Sequence, residues 1–477
     1  MLKKVIIYIL LFYSGKFFSQ ECFKTQYDTS LLNKDLSFLK NILLKIHPSI
    51  GFYESKEFYQ NYFDTALSVK NPLTEKEFRR FIKSKLSYLH CGHTNILPSK
   101  RYARCLDKKK TIKLIPYFIT LDNNHLIVVK PFSKQDSILK TYDTIIKIDG
   151  KNADEYIHLF EQLLFVDGNG INAKKEMIQR HFSFYLSGLM EKDSFQFVVK
   201  NSSGISEKVI YTREYTRVKN DLMSMKSDTL WNNSKKYYKG LYLDKNKNIY
   251  YMKIITFGGI RMKSRFRKAF REMKKNKTEY LIIDLRNNPG GKITQSLNLL
   301  SYLLPQKDSL LYQKVIFEIP EKKYVRKKLE YRIIDFFLRW RSKKISGDNI
   351  YSEKINIKKR NRFNGKIYVL VNANTFSAAN LVSVYLSKQS NATIVGTEPS
   401  AVIWGSNAVS FLKVYLPKTK IKIFVPTYRI YHTFKNEHKQ NLLNPLKPNL
   451  LVQYNTNDLL NKKDKELEAV YFDLIKK

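Results

Sequence analysis

Residues 280–291 read YLIIDLRNNPGG. The first six of them form a nearly unbroken apolar run, which is typical of a strand buried on both faces of a parallel sheet. A second such run, KIYVLVN, covers residues 366–372. From Ile249 onward strand patterns alternate with helical patterns, as in an α/β layer. Because 477 residues exceed one ordinary domain, the sequence predicts a multidomain α/β protein.

Two segments that follow these strands carry groups suited to acyl transfer. Gly290 and Gly291 let backbone N–H groups point into open space, which makes a natural cradle for an anion. Ser377, within NANTFSAAN at residues 372–380, follows the second strand and opens a helical segment, so its hydroxyl can face a cleft. Structural alternatives stay open: a tight strand-to-helix turn for the glycines, and a helix cap for Ser377 or Thr375.

A histidine-bearing segment, LHCGHTNI, lies far upstream at residues 89–96 and holds two of the eight His of the chain. A neutral imidazole can take the proton of a serine hydroxyl near pH 7 and so activate the serine as a nucleophile. His93 is the candidate base, with His90 as the weaker alternative; a histidine that caps a helix end is the structural reading. Apart from Cys91 the pair lacks suitably spaced metal-ligand partners, so no metal is predicted.

Together these segments resemble peptidase family S41, the tail-specific or C-terminal processing peptidases, in its tricorn-like Ser–His subgroup. LIIDLRNNPGG is similar to the strand and glycine turn of that family, and NANTFSAAN to its nucleophile segment. IIKIDGKNADEYI, at residues 145–157, is similar to part of its PDZ-like domain. The resemblance implies a crotonase/Clp-like catalytic core with an N-terminal helical domain and a PDZ-like β domain. It also implies a serine-type endopeptidase that needs no cofactor.

The resemblance further implies a set of site residues around one reacting carbonyl. They are the nucleophile Ser377, the general base His93, and the oxyanion-hole donors Gly290 or Gly291 and Ala378. Glu398 matches a carboxylate of the family and is the candidate that would orient His93. Another subgroup uses a lysine as base at the position where this chain has Val402, so a Ser–Lys mechanism is not expected.

The hydrophobic period changes along the chain and suggests the domain boundaries. A helical period runs through residues 20–108, with a capping box from Thr74 to Glu77, and a period of two marks the PDZ-like domain at 109–215. The catalytic core follows at 216–455, with a basic insertion at 320–362 that contains an amphipathic helical pattern. A C-terminal helix is predicted at 456–477.

The N-terminus predicts export. Residues 1–19 have the layout of a secretory signal peptide, with Lys3 and Lys4 before an apolar run that is shorter than the roughly 20 residues of a spanning helix. An uncleaved anchor is the alternative. We expect a periplasmic, envelope-associated or extracellular protein. The three Cys, at 22, 91 and 105, permit one disulfide and leave one thiol.

The formal net charge of +43 predicts attraction to anionic surfaces. Because the lysines are spread over the whole length without a nucleic-acid motif, nucleic acid is an unlikely partner. The expected partners are a flexible or unfolded polypeptide substrate and an anionic membrane, on which a helix with Phe336, Leu338 and Trp340 would rest. The alternative function is a catalytically inactive protein that binds peptides or apolar ligands on the same fold.

Overall fold

The structure of the chain is a computed structural model. It describes residues 22–108, 111–216, 237–246, 248–315, 320–327, 333, 336–338, 340, 342–345, 349–432, 441 and 443–476. The predicted signal peptide at residues 1–19 and part of the predicted basic insertion lie outside these residues. Within the described ranges, no helix is both long enough and apolar enough to cross a membrane.

Helices dominate the N-terminal region, because apolar residues that recur every three or four positions give each helix one buried face. In chain order the elements are β1 (Gln26–Tyr27), α1 (Thr29–Ile46), α2 (Lys56–Ala66), β2 (Leu73–Thr74), α3 (Glu75–Leu86), a 3-10 turn (Ser87–Leu89), β3 (Asn95–Leu97) and α4 (Lys100–Lys108). The predicted capping box of α3 is confirmed, since Thr74 and Glu77 each accept from the other's backbone N–H. A Cys22–Cys105 disulfide joins the start of this region to α4 and leaves Cys91 free and buried.

Residues 111–216 form a mostly β region. Its elements are β4 (Thr111–Leu114), β5 (Tyr117–Asp122), β6 (His125–Pro131), β7 (Thr144–Ile148), β8 (Lys151–Asn152), α5 (Ala153–Leu163), α6 (Ile171–Met190), β9 (Ser194–Asn201), β10 (Gly204–Tyr211) and β11 (Arg213–Thr216). The main sheet is antiparallel with the order β10-β9-β7-β6-β5, β8 pairs with β7, and β4 pairs with β11. Phe160 of α5 and Phe182 of α6 pack against this sheet with ring centroids 5.5 Å apart.

The C-terminal region holds two further sheets. Its elements are β12 (Tyr238–Tyr242), β13 (Ile249–Ile254), α7 (Met262–Lys275), β14 (Tyr280–Asp284), α8 (Ile293–Leu300), β15 (Asp308–Lys314), β16 (Val325–Lys327), β17 (Lys343–Ile345), β18 (Ile350–Ile355), β19 (Lys366–Val371), α9 (Ala378–Gln389), β20 (Ala392–Gly396), β21 (Gly405–Tyr415), β22 (Lys422–His432), β23 (Leu450–Leu451), α10 (Thr456–Leu460) and α11 (Lys465–Ile475). The stretch predicted as one C-terminal helix therefore contains two helices.

The first sheet has the order β12-β13-β14-β19-β20-β23 and is parallel from β13 onward. Its central strands are buried on both faces, as their apolar runs predict. Ile283 and Val369 face the large core shared with α7, α8 and α9, whereas Ile282 and Tyr368 face a smaller core with α11. The carboxyl ends of β14 and β19 consequently lie side by side, which brings the glycine turn next to the serine turn.

The second sheet has the order β16-β21-β22-β15-β18-β17, and β3 adds to β22. The pairing of β3 with β22 matters for the site, because His93 stands in the loop that leads into β3. The N-terminal helices pack on the same strands, with Leu36 and Leu39 in one core with Leu412 and Ile423. These contacts hold the histidine segment against the C-terminal region, although the two are far apart in sequence.

The basic insertion corrects one expectation about the surface. Leu338, which was expected on a membrane-facing side with two aromatic residues, is 4% exposed and belongs to the large core. Phe336 and Trp340 are 65% and 74% exposed, and Phe337 joins them at 50%. The exposed apolar side chains of this segment are therefore the three aromatic residues, whereas Leu338 packs into the core.

Candidate active site

Ser377 stands at the junction between the turn after β19 and helix α9. Its backbone has φ 54° and ψ −122°, a conformation that a residue with a side chain rarely adopts and that is often found where surrounding structure holds a functional group. The Ser377 side chain makes no capping hydrogen bond to α9. Thr375 does not cap the helix either, because its hydroxyl donates to the Leu285 carbonyl at 2.9 Å. Neither residue fits the helix-cap alternative.

His93 reaches this serine across 284 positions of sequence, with its Nε2 atom 3.1 Å from Ser377 Oγ. The imidazole also packs on the ring of Phe376, with centroids 4.5 Å apart. Gly92 makes room for that ring, since a Cβ there would lie 2.6 Å from Phe376 Cζ. Burial lowers the pKa of His93 to about 4, so the imidazole is neutral near pH 7 and able to accept a proton.

The other nitrogen of His93 belongs to a hydrogen-bonded chain that sequence analysis missed. Its Nδ1 atom lies 3.0 Å from Ser406 Oγ, and Ser406 Oγ donates to Asp167 Oδ2 at 2.8 Å. Because a hydroxyl carries one proton, Ser406 can donate to an ionised Asp167 only while it accepts from His93. The proton of His93 is then on Nδ1, which leaves Nε2 as an acceptor for the Ser377 hydroxyl.

Asp167 is a buried carboxylate held by the histidine loop. The N–H of Gly92 donates to its Oδ1 atom at 2.7 Å, and its own N–H donates to the Ser400 carbonyl at 3.0 Å. Burial raises the pKa of Asp167 to about 7, although the bonds from Gly92 and Ser406 act in the opposite direction. Asp167 is thus poised to change charge near neutral pH, on the Nδ1 side of His93.

The glycine turn lies against Ser377, and only part of the predicted donor set is available. The N–H of Gly290 donates to Asn288 Oδ1 at 2.8 Å, which removes it from the expected oxyanion donors. Among the hydrogen bonds of the described residues, the N–H groups of Gly291 and Ala378 have no protein acceptor. Gly290 instead permits close approach: a Cβ on it would lie 2.7 Å from Ser377 Cβ and 2.9 Å from the Ala378 nitrogen.

The structure does not bring Glu398 to His93. Glu398 accepts a hydrogen bond from Asn172 Nδ2 at 3.0 Å, while both ring nitrogens of His93 contact serine hydroxyls. His90 is directed elsewhere too, with Nδ1 2.9 Å from the Gly168 carbonyl. The expected orienting role of Glu398 is therefore replaced in the geometry by Ser406 and Asp167. In the described part of the chain, no group of three or more His, Cys, Asp or Glu side chains is arranged to hold a metal ion.

A small cavity of about 20 Å³ opens beside Ser377. Ile293, Leu381 and Ile430 supply apolar walls, and Asn380 and Ser406 supply polar atoms. A space of this size holds little more than one water molecule. In this conformation a substrate side chain that enters it has to be small.

Comparison with known proteins finds a family match that covers both the serine turn and the glycine turn. Residues 248–449 match the model of peptidase family S41. The C-terminal region is thus similar to peptidase family S41. This S41 region includes Ser377 and the glycine turn, whereas His93 and Asp167 precede it in sequence.

Two solved structures share the fold over more than nine-tenths of the chain, which extends beyond the S41 region. A structure of mature CPAF complexed with lactacystin has a TM-score of 0.63 at 16% identity, over 94% of this chain and 98% of that chain. A structure of mature CPAF has a TM-score of 0.61 at 16% identity, over 92% and 95%. No curated protein matches the sequence significantly.

Proposed function

We propose that the chain is a serine-type peptidase in which Ser377 is the nucleophile and His93 the general base. The 3.1 Å contact between His93 Nε2 and Ser377 Oγ carries this proposal, because it joins two distant segments in the geometry that proton transfer requires. The strained backbone of Ser377 and the match of residues 248–449 to an S41 peptidase model support it independently.

In the proposed reaction Ser377 Oγ attacks the carbonyl carbon of a peptide bond while His93 Nε2 takes the hydroxyl proton. The N–H groups of Gly291 and Ala378 stabilise the negative oxygen that results. His93 then gives the proton to the leaving amine, and water cleaves the acyl-enzyme by the same route. Asp167, acting through Ser406, keeps the Nδ1 proton of His93 in place and stabilises the imidazolium.

We assign the regions of the chain to this activity as follows. Residues 216–455 form the crotonase/Clp-like catalytic core, which the run of parallel strands β13-β14-β19-β20 supports. Residues 109–215 form a PDZ-like domain, which the antiparallel sheet with α5 and α6 supports. Such a module recruits flexible chain ends or extended strands, so the substrate is an unfolded polypeptide that the enzyme cleaves as an endopeptidase. The small cavity beside Ser377 favours a small residue at the cleavage site.

We further propose that the protein is exported and acts at an anionic surface of the cell envelope. The Cys22–Cys105 disulfide is typical of an oxidising compartment. The net charge of +43 and the exposed Phe336, Phe337 and Trp340 suit an anionic membrane. Binding to anionic vesicles at low salt that is lost at high salt is the expected result; no binding at low salt would exclude membrane attachment.

The test of the peptidase activity compares the exported chain, from Gln20 onward, with its Ser377→Ala variant on a proteome-derived peptide library. Ser203→Ala, in an exposed turn, is the matched control. Mass spectrometry should find internal cuts made by the unsubstituted chain and by the Ser203 variant, and none made by the Ser377 variant. Cuts that persist in the Ser377 variant would contradict the proposal, and the absence of cuts at every pH would favour the inactive binding protein.

A further inference from the structure

A second cavity, of about 460 Å³, lies between helix α3 of the N-terminal region and helices α5 and α6 of the β region. Ser377 and His93 are not among the residues that line it. Its volume falls in the range of cavities that hold small organic molecules, and is more than twenty times that of the space beside the serine. The cavity is large enough to hold a ligand of its own.

One wall of the cavity is positively charged. Arg79 and Arg80 are each three or four residues from both Lys76 and Lys83, so these four cations lie on one side of α3. Of the residues that line the cavity, all within the described chain, Glu191 alone is acidic, and it pairs with Lys76 at 3.2 Å. The wall thus carries an excess of positive charge over the one carboxylate that faces it.

The cations of this wall are removed from water without full compensation. Burial lowers the pKa values of Arg80 and Lys83. Among the described residues neither forms an ion pair: Arg80 donates to the Leu189 carbonyl at 2.8 Å, and Lys83 Nζ lies 5.6 Å from the ring centroid of Phe165. Arg79 differs from these two, because its Nε lies 3.7 Å from Glu75 Oε1 and forms an ion pair, although it has no hydrogen-bond partner. Arg80 and Lys83 are partly buried cations without an ion pair, which is unfavourable, so an anion in this cavity would stabilise them.

The opposite wall is apolar. It is formed by side chains of α5 and α6, with a rim residue, Phe184, that is 41% exposed. The lining side chains include Phe160, Leu163, Leu164, Phe184, Tyr185 and Leu189. Gly188 lies at the exposed mouth of the cavity, where a Cβ added to it would meet no atom within 4 Å. A ligand that fits both walls has an anionic head and a hydrocarbon chain.

We propose that this cavity binds a fatty acid, with its carboxylate on Arg80 and Lys83 and its chain against α5 and α6. The cavity shares a segment with the candidate active site, since Ile96 of β3 lines it three residues after His93. Occupancy is nevertheless measurable without any peptidase assay. The proposal consequently stands or fails independently of the proposed function.

The test uses calorimetric titration of the full exported chain with dodecanoate below its micelle concentration. We expect saturable binding of one dodecanoate, and at least about tenfold weaker binding of dodecanol, because a charge-assisted hydrogen bond to a desolvated cation contributes on this scale. Lys83→Gln should weaken dodecanoate binding about tenfold. Lys85→Gln makes the same change on the same helix outside the cavity, and should leave binding unchanged.

A cavity-filling variant keeps the test independent of charge. Gly188→Leu places a side chain at the mouth of the cavity and improves the helix propensity of α6, so the protein should fold and dodecanoate should bind more weakly. Circular dichroism and thermal unfolding would check the fold. Equal affinity for dodecanoate and dodecanol, unchanged binding in the Gly188 variant, or no binding at all would overturn the proposal.

Discussion

The hydroxyl of Ser406 lies 2.8 Å from Asp167 Oδ2 and joins that buried carboxylate to the ring of His93. The carboxylate does not touch the imidazole, so its charge reaches the base through one hydroxyl. An ionised Asp167 obliges Ser406 to donate toward it, and this fixes the proton of His93 on Nδ1. A protonated Asp167 could donate to Ser406 instead and permit the opposite tautomer, in which Nε2 could not accept from Ser377.

Removal of the intermediate hydroxyl should therefore impair the base without removing it. We expect Ser406→Ala to lower kcat/KM about 100-fold, mostly through kcat, because the tautomer of His93 is no longer fixed. Ser410→Ala is the matched control, since Ser410 is also buried on β21. Steady-state kinetics on a peptide identified from the library would measure both. If the Ser406 variant is as active as the Ser410 variant, the hydrogen bonds from His93 through Ser406 to Asp167 do not contribute to catalysis.

The rate should also depend on the charge of Asp167. The proposed mechanism requires both neutral His93 and ionised Asp167, and their pKa values of about 4 and about 7 make Asp167 the group that limits activity at low pH. We expect kcat/KM to rise with pH through about 7. Asp167→Asn should lower the maximal kcat/KM and shift the rise of kcat/KM with pH toward the pKa of His93. Steady-state kinetics between pH 4 and pH 9 would measure both.

The same carboxylate predicts a change in stability with pH. Its folded pKa of about 7 exceeds the ordinary value of 3.8, so the folded state binds the proton more tightly. Its stabilising contribution is complete below pH 3.8 and is lost as pH rises through about 7. Denaturant unfolding at pH 5 and pH 8 should show a smaller pH-dependent loss in Asp167→Asn than in the unsubstituted chain. If the pH dependence of kcat/KM and the pH-dependent loss of stability are both unchanged in Asp167→Asn, Asp167 is not the group that titrates near pH 7.

The parts of the site that sequence predicts are those with a local pattern. Apolar runs in the sequence predict the strands at 280–284 and 366–371. The turns that follow these strands place Gly290 and Ser377 at one edge of the sheet. Ser406 and Asp167 have no such pattern, since 239 residues separate them and each stands in a loop or at a strand end. The error at Glu398 has the same origin, because the position of Asn172 on α6 depends on how the β region docks.

Activity should require a residue without a side chain at position 290, which is Gly290. Gly290→Ala would place a Cβ 2.7 Å from Ser377 Cβ and would strain a backbone with φ +98°, so we expect at least about a 100-fold loss of kcat. Gly150→Ala separates the two effects, because Gly150 has φ +77° but open space around it. Both variants should lose about 1 kcal/mol of stability from backbone strain. Full activity in the Gly290 variant would mean that the glycine turn does not approach the reacting atoms.

The strand that ends in the glycine turn is anchored by a buried charge cluster, and its loss should destabilise the whole C-terminal region. Asp284 is fully buried and accepts from Lys253 and Arg286 at 2.8 Å each. Burial alone would raise the pKa of Asp284, but the two cations outweigh it and hold the pKa well below its usual range. The stabilising contribution is therefore present above pH 3.8 and lost as pH falls further. Asp284→Ala leaves both cations buried.

We expect Asp284→Ala to lower the free energy of unfolding by about 3–5 kcal/mol, which is the usual cost of removing one partner from a buried ion pair. Asp64→Ala removes the carboxylate of an exposed pair with Lys40 and should leave stability nearly unchanged. Urea unfolding at pH 7 followed by circular dichroism would compare the two. Equal stabilities would show that the other members of the cluster, Asp464 and Glu466, neutralise Arg286 without Asp284.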